Sequence, residues 1–393
     1  MAKRIAVAGL TVLSGLIGFQ SFAQTALDGR VGAITTAVPF LRISPDARSG
    51  AMGDVGIALS PDANAQYWNV AKLAMSPKDA GISVTYTPWL KDLVPDVFLG
   101  YISAYKKLNA TSTISGSLRY FNLGNIDYTN DLGFNTGSGK PREFSFDFGY
   151  SIKLSPNLST GVTLRYISSN IAAGDPNPGT VYSPGKAFAA DIGIFYTKTH
   201  EITEDRSGTF NAGAVLSNVG SKISYSQQEK DFLPINLGIG VAYTYKVDAY
   251  NKITASLDLN KALVPAPRYY LTVNGEDSTA GYIPNDGIIS GMLGSFTKAP
   301  PGYGTTVSLG GEYWYQDQFA VRAGYFYENK NNGDRQYFTC GLGVKYQVFG
   351  LNFSYLIPSG SGVARNPLSN TLRFSLLFDF DKLAFSKKTS DEG

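Results

Sequence analysis

Arg142-Glu-Phe-Ser-Phe-Asp-Phe-Gly-Tyr-Ser-Ile-Lys153 alternates without a break. Phe144, Phe146, Phe148, Tyr150 and Ile152 fall on one face; Ser145, Asp147, Gly149, Ser151 and Lys153 fall on the other. A period of two is the signature of a β-strand with one apolar face. The same pattern returns at Ile235–Tyr245, Phe338–Tyr346 and Phe374–Phe380. Followed along the whole chain, it predicts fourteen strands, near residues 80–88, 96–106, 110–122, 142–153, 157–168, 186–198, 208–217, 234–246, 251–262, 304–315, 318–328, 336–348, 350–357 and 370–380. Most approach the length of about 9–11 residues that a tilted strand needs to cross a bilayer.

The connections between these runs alternate in length. Tight turns fall at Lys107–Asn109, Leu154–Pro156, Val247–Tyr250, Gln316–Asp317 and Phe349, with longer loops between them at 123–141, 169–185, 218–233, 263–303 and 358–369. Even-stranded outer-membrane barrels carry short periplasmic turns at one rim and long external loops at the other. Both ends of the mature chain are therefore expected in the periplasm. The polar faces agree with a barrel. They are mostly Gly, Ser, Thr, Asn and Ala, with isolated charges such as Arg165, Asp191, Asp258, Glu312, Arg322 and Lys345, which suits a crowded lumen better than bulk water. The apolar faces then meet lipid, and closing the sheet removes the unpaired edge that a bilayer does not tolerate. The expected fold is all-β: a 14-stranded antiparallel transmembrane barrel over residues 80–380, with a periplasmic tail at 381–393.

Composition allows this and excludes much else. Of 393 residues 17% are charged, below the roughly 25% typical of soluble domains. Mean hydropathy is −0.08, too low for a bundle of membrane helices that each need about 20 apolar residues. One Cys and one His leave no disulfide scaffold and no Cys/His metal centre. A net charge of +3 gives no basic footprint for nucleic acid. No cofactor is expected. At the start, Lys3 and Arg4, the apolar run Ile5–Phe19 and the triplet Ser21-Phe22-Ala23 read as a signal peptide over 1–23, which sends the chain across the inner membrane.

Residues 24–79 break the pattern. They lack alternation, are rich in Ala, Gly and Asp, and carry Pro39, Pro45, Pro61 and Pro77. A segment of this length ahead of a barrel is expected to fold into the lumen as a plug. Asp46, Arg48 and Asp54 are expected to pin it by pairing with lumenal charges, since charged groups held away from bulk water are normally paired.

The same segment carries a resemblance. Ile34-Thr-Thr-Ala-Val-Pro-Phe-Leu41, Pro45-Asp-Ala-Arg-Ser-Gly-Ala-Met-Gly-Asp54, Asp62-Ala-Asn-Ala-Gln-Tyr-Trp-Asn69 and Ala71-Lys-Leu-Ala74 resemble the start of the PorV (LptO) family of type IX secretion proteins, which is related to the FadL-type transporters. The motif positions are Asp46, Arg48, Gly50, Gly53, Asp54 and Asn69. Asn69-Val70-Ala71 departs from the Asn-Pro-Ala common in FadL-like relatives, so the local turn is open to differ. The resemblance implies residence in the outer membrane of a Bacteroidetes-like Gram-negative cell, among lipid and lipopolysaccharide. It implies association with a very large translocon barrel and receipt of cargo bearing a C-terminal signal domain. Delivery would be to a surface attachment complex whose sortase-like protease links cargo to lipopolysaccharide. The other function the fold allows is a FadL-like uptake channel for hydrophobic compounds.

An enzyme is not expected. The lone His200 sits in Thr199-His200-Glu201-Ile202-Thr203-Glu204-Asp205, read as a turn at the periplasmic rim, with no partnered nucleophile. Cys340 lies on an apolar strand face, where it reads as a small hydrophobe. The partner surface is expected on the loop at 263–303, which is longer than the roughly 12–15 residues beyond which loops are usually functional or disordered. Its apolar residues Tyr269, Tyr270, Ile288, Ile289, Met292, Leu293 and Phe296 are of types found at interfaces. A lid folded over the barrel's own mouth would bury the same side chains.

Overall fold

The computed structural model describes residues 36–89, 96–130, 132–171, 173, 183–225, 230–265, 271–273, 276–278, 287–297, 299, 302–329, 332–359 and 371–381. The expected signal peptide, the first residues of the expected plug, Tyr269, Tyr270 and nearly all of the C-terminal tail lie outside them.

The alternating runs form the strands β1 (Ala80–Pro88), β2 (Phe98–Lys107), β3 (Ser112–Asn122), β4 (Ile126–Thr129), β5 (Asn135–Gly139), β6 (Arg142–Lys153), β7 (Leu158–Asn170), β8 (Gly185–Thr203) and β9 (Arg206–Gly220). They continue as β10 (Asn236–Lys246), β11 (Asn251–Ala262), β12 (Leu271–Val273), β13 (Glu276–Ser278), β14 (Thr305–Tyr315), β15 (Phe319–Glu328), β16 (Gln336–Tyr346), β17 (Phe349–Pro358) and β18 (Leu372–Phe380). Fourteen of them close into one antiparallel barrel, with β1 pairing β18. The pairs β4–β5 and β12–β13 are separate two-stranded hairpins in two of the longer connections.

Register carries the sequence alternation around the ring. Phe146 stands opposite Leu118 and Tyr166, while Asp147 stands opposite Ser117 and Arg165. The outer face is therefore apolar: Phe188 is 69% exposed and Leu342 56%. Arg119, Asp147, Asp258 and Ser375 are instead wholly buried. Such a continuous apolar exterior around a polar interior suits a surrounding of lipid.

Short connections gather at one rim and long ones at the other. At the short rim Asn109 Oδ1 accepts from the Thr111 and Ser112 amides, both at 2.8 Å, and Asp248 Oδ1 accepts from those of Tyr250 and Asn251, both at 2.8 Å. These are side-chain turns that let the chain reverse without extra length. Gln316 and Asp317 both take positive φ, 55° and 56°, the backbone twist favoured by tight hairpins.

One connection differs from the expected layout. β8 and β9 run on to Thr203 and Arg206, so the expected turn around His200 is strand, and His200 pairs with Gly208. The cause lies in composition. Thr199 to Thr203 have no strong turn residue, and their polar side chains on both faces suit a ladder continuing beyond the apolar belt into water.

The chain before β1 runs along the inner face of the barrel. Its start lies at the long-connection rim, where the Ala37 amide donates to Phe232 O at 3.1 Å. Its end lies at the short-turn rim, where the Asp79 amide donates to Phe380 O at 3.0 Å. Of the two chain ends expected in the periplasm, the end of β18 does sit at the short-turn rim; the first described residues sit at the opposite one.

Candidate functional site

The Pro45–Asp54 stretch explains itself residue by residue against the barrel wall. Asp46 caps the short helix Ala47–Gly50, its Oδ2 accepting from the Ser49 amide at 2.9 Å, and its Oδ1 accepts from Trp68 Nε1 at 2.7 Å. Burial, with Asp62 nearby, pushes the Asp46 carboxyl above the usual range. The Ala47 amide donates to Ser375 Oγ at 2.9 Å. Gly50 abuts the Arg373 side chain. Gly53 takes φ of 71° and donates its amide to Thr339 Oγ1 at 2.8 Å. It can do so because the wall facing it is bare: Gly310, Gly324 and Gly341 are the inward positions of β14, β15 and β16 that meet Ala51, Met52 and Gly53. Asp54 accepts from Tyr337 Oη at 2.5 Å and lies 3.8 Å from Arg373.

Arg48 makes the main charge contact. Its Nε and Nη2 donate to the two oxygens of Glu312 at 3.0 and 2.9 Å, and Nη1 donates to Asp62 at 3.1 Å. Two parallel bonds of this kind are stronger and more directional than one. Burial alone would lower the Arg48 pKa, but Glu312 and Asp62 outweigh it and hold it above the ordinary value. Arg322 Nε also donates to Glu312, at 2.7 Å. Of the three expected pins, Arg48 and Asp54 meet barrel residues, whereas Asp46 is consumed within its own segment.

The rest of the segment is fixed by polar contacts to other strands. Asp258 Oδ2 accepts from the Gly56 and Ile57 amides at 2.7 and 2.9 Å. Lys72 Nζ donates to Gly56 O at 2.5 Å, and burial lowers its pKa to about 8 against the opposing pull of Asp62. Asn69, far from Arg48 in the segment, donates to Ile194 O at 2.9 Å and accepts from the Ala71 amide at 3.2 Å, capping the 3₁₀ turn Val70–Met75. Val70 is the first residue of that turn, a position that also suits proline. The departure from Asn-Pro-Ala therefore leaves the capped turn in place.

Sequence reasoning passed over Arg119. It is fully buried, donates to Leu41 O at 3.0 Å, and its guanidinium lies 4.5 Å from the Tyr67 ring centroid and 5.6 Å from that of Tyr101. Its even spacing from Ser117 in β3 places it inward, and that was the available signal. Arg165 is likewise held by Asp147 at 2.8 Å and Asp191 at 3.0 Å.

Above this packed layer is a cavity of about 320 Å³. Its walls come from the long-connection ends of the strands and adjoining residues, including Trp89, Phe121, Phe326, Tyr337 and Arg373, and its floor includes Tyr67, Trp68 and Asp54. Arg42 and Arg335 also line it.

Beside that mouth, the expected partner loop contains a helix, Ile288–Thr297. Ile288 and Met292, one turn apart, pack against the cluster of Phe232, Ile235, Leu263 and Val264. Ile289, Leu293 and Phe296 project from the helix, 73%, 64% and 56% exposed. The loop residues read as one group thus divide into a seated face and an open face. His200 and Cys340 are both exposed, and among the described residues no group of three or more His, Cys, Asp or Glu could hold a metal ion.

The sequence profile described as "Type IX secretion system protein PorV" matches residues 26–269. The chain belongs to the PorV family. Its fold is similar to several solved barrels at low identity. The toluene transporter TbuX of Ralstonia pickettii is 10% identical, covering 86% of this chain and 98% of its own, with a TM-score of 0.48. A FadL homologue from Pseudomonas aeruginosa is 13% identical, covering 90% and 100%, with a TM-score of 0.43. The Pseudomonas putida toluene transporter TodX is 12% identical, covering 85% and 97%, with a TM-score of 0.46. Comparison with curated proteins gave no match. Membership of the PorV family and the apolar girdle together make this chain an outer-membrane barrel of the type IX secretion system.

Proposed function

We propose that the protein is the cargo carrier of its secretion system. It binds proteins bearing a C-terminal signal domain as they emerge from the translocon barrel. It then delivers them to the attachment complex, whose sortase-like protease joins them to lipopolysaccharide. The observation that carries this reading is the open ridge of Ile289, Leu293 and Phe296 on a helix seated at the long-connection rim. An apolar ridge held on a rigid support is a surface ready for a partner. The long-connection rim then faces outward.

We further infer that residues 36–79 act as a plug that keeps the barrel from serving as an open conduit. Supporting this are the Arg48–Glu312 pair and the seating of the Met52–Gly53 turn on the glycine-lined wall. The cavity above it has aromatic walls but also carries Arg42, Arg165, Arg335 and Arg373, a charged lining that passage of uncharged hydrophobic compounds does not call for.

A detergent pull-down from the native outer membrane, analysed by mass spectrometry, tests the carrier reading. Recovery of a giant barrel together with proteins sharing one C-terminal domain is expected. Recovery of this barrel alone with co-purifying lipid would overturn it.

A further inference from the structure

The charges around the cavity are unevenly matched. Arg165 has Asp147 and Asp191, and Arg335 donates to both oxygens of Glu328 at 2.6 and 3.0 Å. Arg373 is different. It is 2% exposed, its Nε and Nη1 have no hydrogen-bond partner, and its closest carboxylate, Asp54, stands 3.8 Å away. Arg42 lines the same cavity with an exposed side chain and makes no hydrogen bond or ion pair among the described residues. An unpaired guanidinium held away from bulk water, as that of Arg373 is, is costly, and the cost is relieved by an anion, which the exposed Arg42 beside it is free to share.

We propose that the cavity is a binding site for an organic carboxylate, whose oxygens take the free N–H groups of Arg42 and Arg373. Guanidinium forks match carboxylate and phosphate oxygens alike, so net charge decides between them. Arg335 is matched by Glu328 and Arg373 shares Asp54, so Arg42 is the cavity guanidinium left without a carboxylate partner among the described residues. One unmatched guanidinium in a cavity that Asp54 and Asp191 also line suits a monoanion rather than a doubly charged phosphate. The aromatic walls, Trp89, Phe121 and Phe326 among them, suit an apolar chain behind the headgroup. A volume of about 320 Å³ admits a headgroup and a short length of chain, not a folded domain. The site is independent of the carrier reading, because the same carboxylate is borne by a polypeptide C-terminus and by a fatty acid.

Trp68 and Trp89 line the cavity and report on it. Tryptophan fluorescence of the purified full-length barrel is titrated with two pairs of probes: an N-acetylated hexapeptide with a free C-terminus against its C-terminal amide, and decanoate against decanol. The acid of at least one pair is expected to bind about tenfold or more tightly than its neutral analogue, as loss of a charged hydrogen-bond partner implies. Arg42→Gln should remove that preference and Arg42→Lys should keep part of it, with the barrel still heat-modifiable on gels. Preference for the peptide acid identifies a chain terminus as the source; preference for decanoate identifies a lipid. Equal binding of acids and neutral analogues, no binding of any probe at millimolar concentration, or a preference that survives Arg42→Gln would overturn the proposal.

Discussion

Gly53 and Gly324 meet backbone to backbone: a Cβ placed on Gly324 would lie 2.1 Å from the Gly53 nitrogen. A Cβ on Gly53 would in turn lie 2.6 Å from the nitrogen and oxygen of Tyr325, at a φ that side chains rarely adopt. The Ala51–Asp54 turn can therefore approach the wall only where both surfaces are bare. Gly324→Ala should push the turn away and break the bond from Gly53 to Thr339. Strain and lost contacts of this kind cost about 1–3 kcal/mol. The expected result is an intact, heat-modifiable barrel in which limited proteolysis cuts near residues 50–55 much faster. Unchanged protection would contradict the close approach.

Arg48 and Glu312 offer a second test. Removing one partner of a buried pair leaves the other uncompensated, typically at about 3–5 kcal/mol. Arg48→Met should therefore lower resistance to heat or urea clearly. Glu312→Gln should do the same, because it leaves Arg48 and Arg322 facing each other without their shared carboxylate. The double variant should lose less than the two single losses added together. Additive losses would mean that the pair contributes little.

Lys72 gives a pH test. Burial holds its pKa at about 8 in the folded protein, below the ordinary 10.5. The unfolded chain binds the proton more tightly, so stability rises with pH between these values. The penalty of burying the charge is complete below pH 8 and fades as pH climbs towards 10.5. Protection of the segment from protease should increase from pH 7.5 to pH 10 (about the span set by that shift). Lys72→Met should flatten the profile. A wild-type profile that falls over this range would contradict the burial of a lysine ammonium.

Much of this molecule was written in the alternation and some of it was not. Phe144 to Lys153 declare their faces, and alternation alone places Arg165, Glu312 and Arg322 inward. Period two gives the face of a residue but not its partner. Arg48 and Glu312 stand 264 positions apart, and only closure of the ring brings them together. For the same reason the sequence points Asp46 towards the wall although it caps its own helix, and it carries no sign of the cavity joining Arg42 to Arg373. The two faces of Ile288–Thr297 were hidden for another reason: with Gly291 and Gly294, weak helix formers, the stretch reads as loop.

Orientation is open to labelling on intact cells. In a Cys340→Ser background, Leu293→Cys should react with a membrane-impermeant maleimide, and Asp248→Cys and Gln316→Cys should react only after the outer membrane is opened. The opposite pattern would place the short turns outside.

The carrier role rests on the exposed ridge, and one secretion assay tests it most directly. In a strain producing only the variant with Ile289→Ser, Leu293→Ser and Phe296→Ser, cargo is followed by immunoblot in the periplasm, at the surface and in the medium. Ile289 and Leu293 are open to solvent and Phe296, 56% exposed, meets the barrel at the Lys261 ammonium, so normal amounts of heat-modifiable barrel are expected in the outer membrane. Cargo with its signal domain still attached should then accumulate in the periplasm while surface and medium levels fall about tenfold or more, as loss of a clustered interface implies. Normal cargo at the surface, with the variant barrel present in normal amount, would contradict the account.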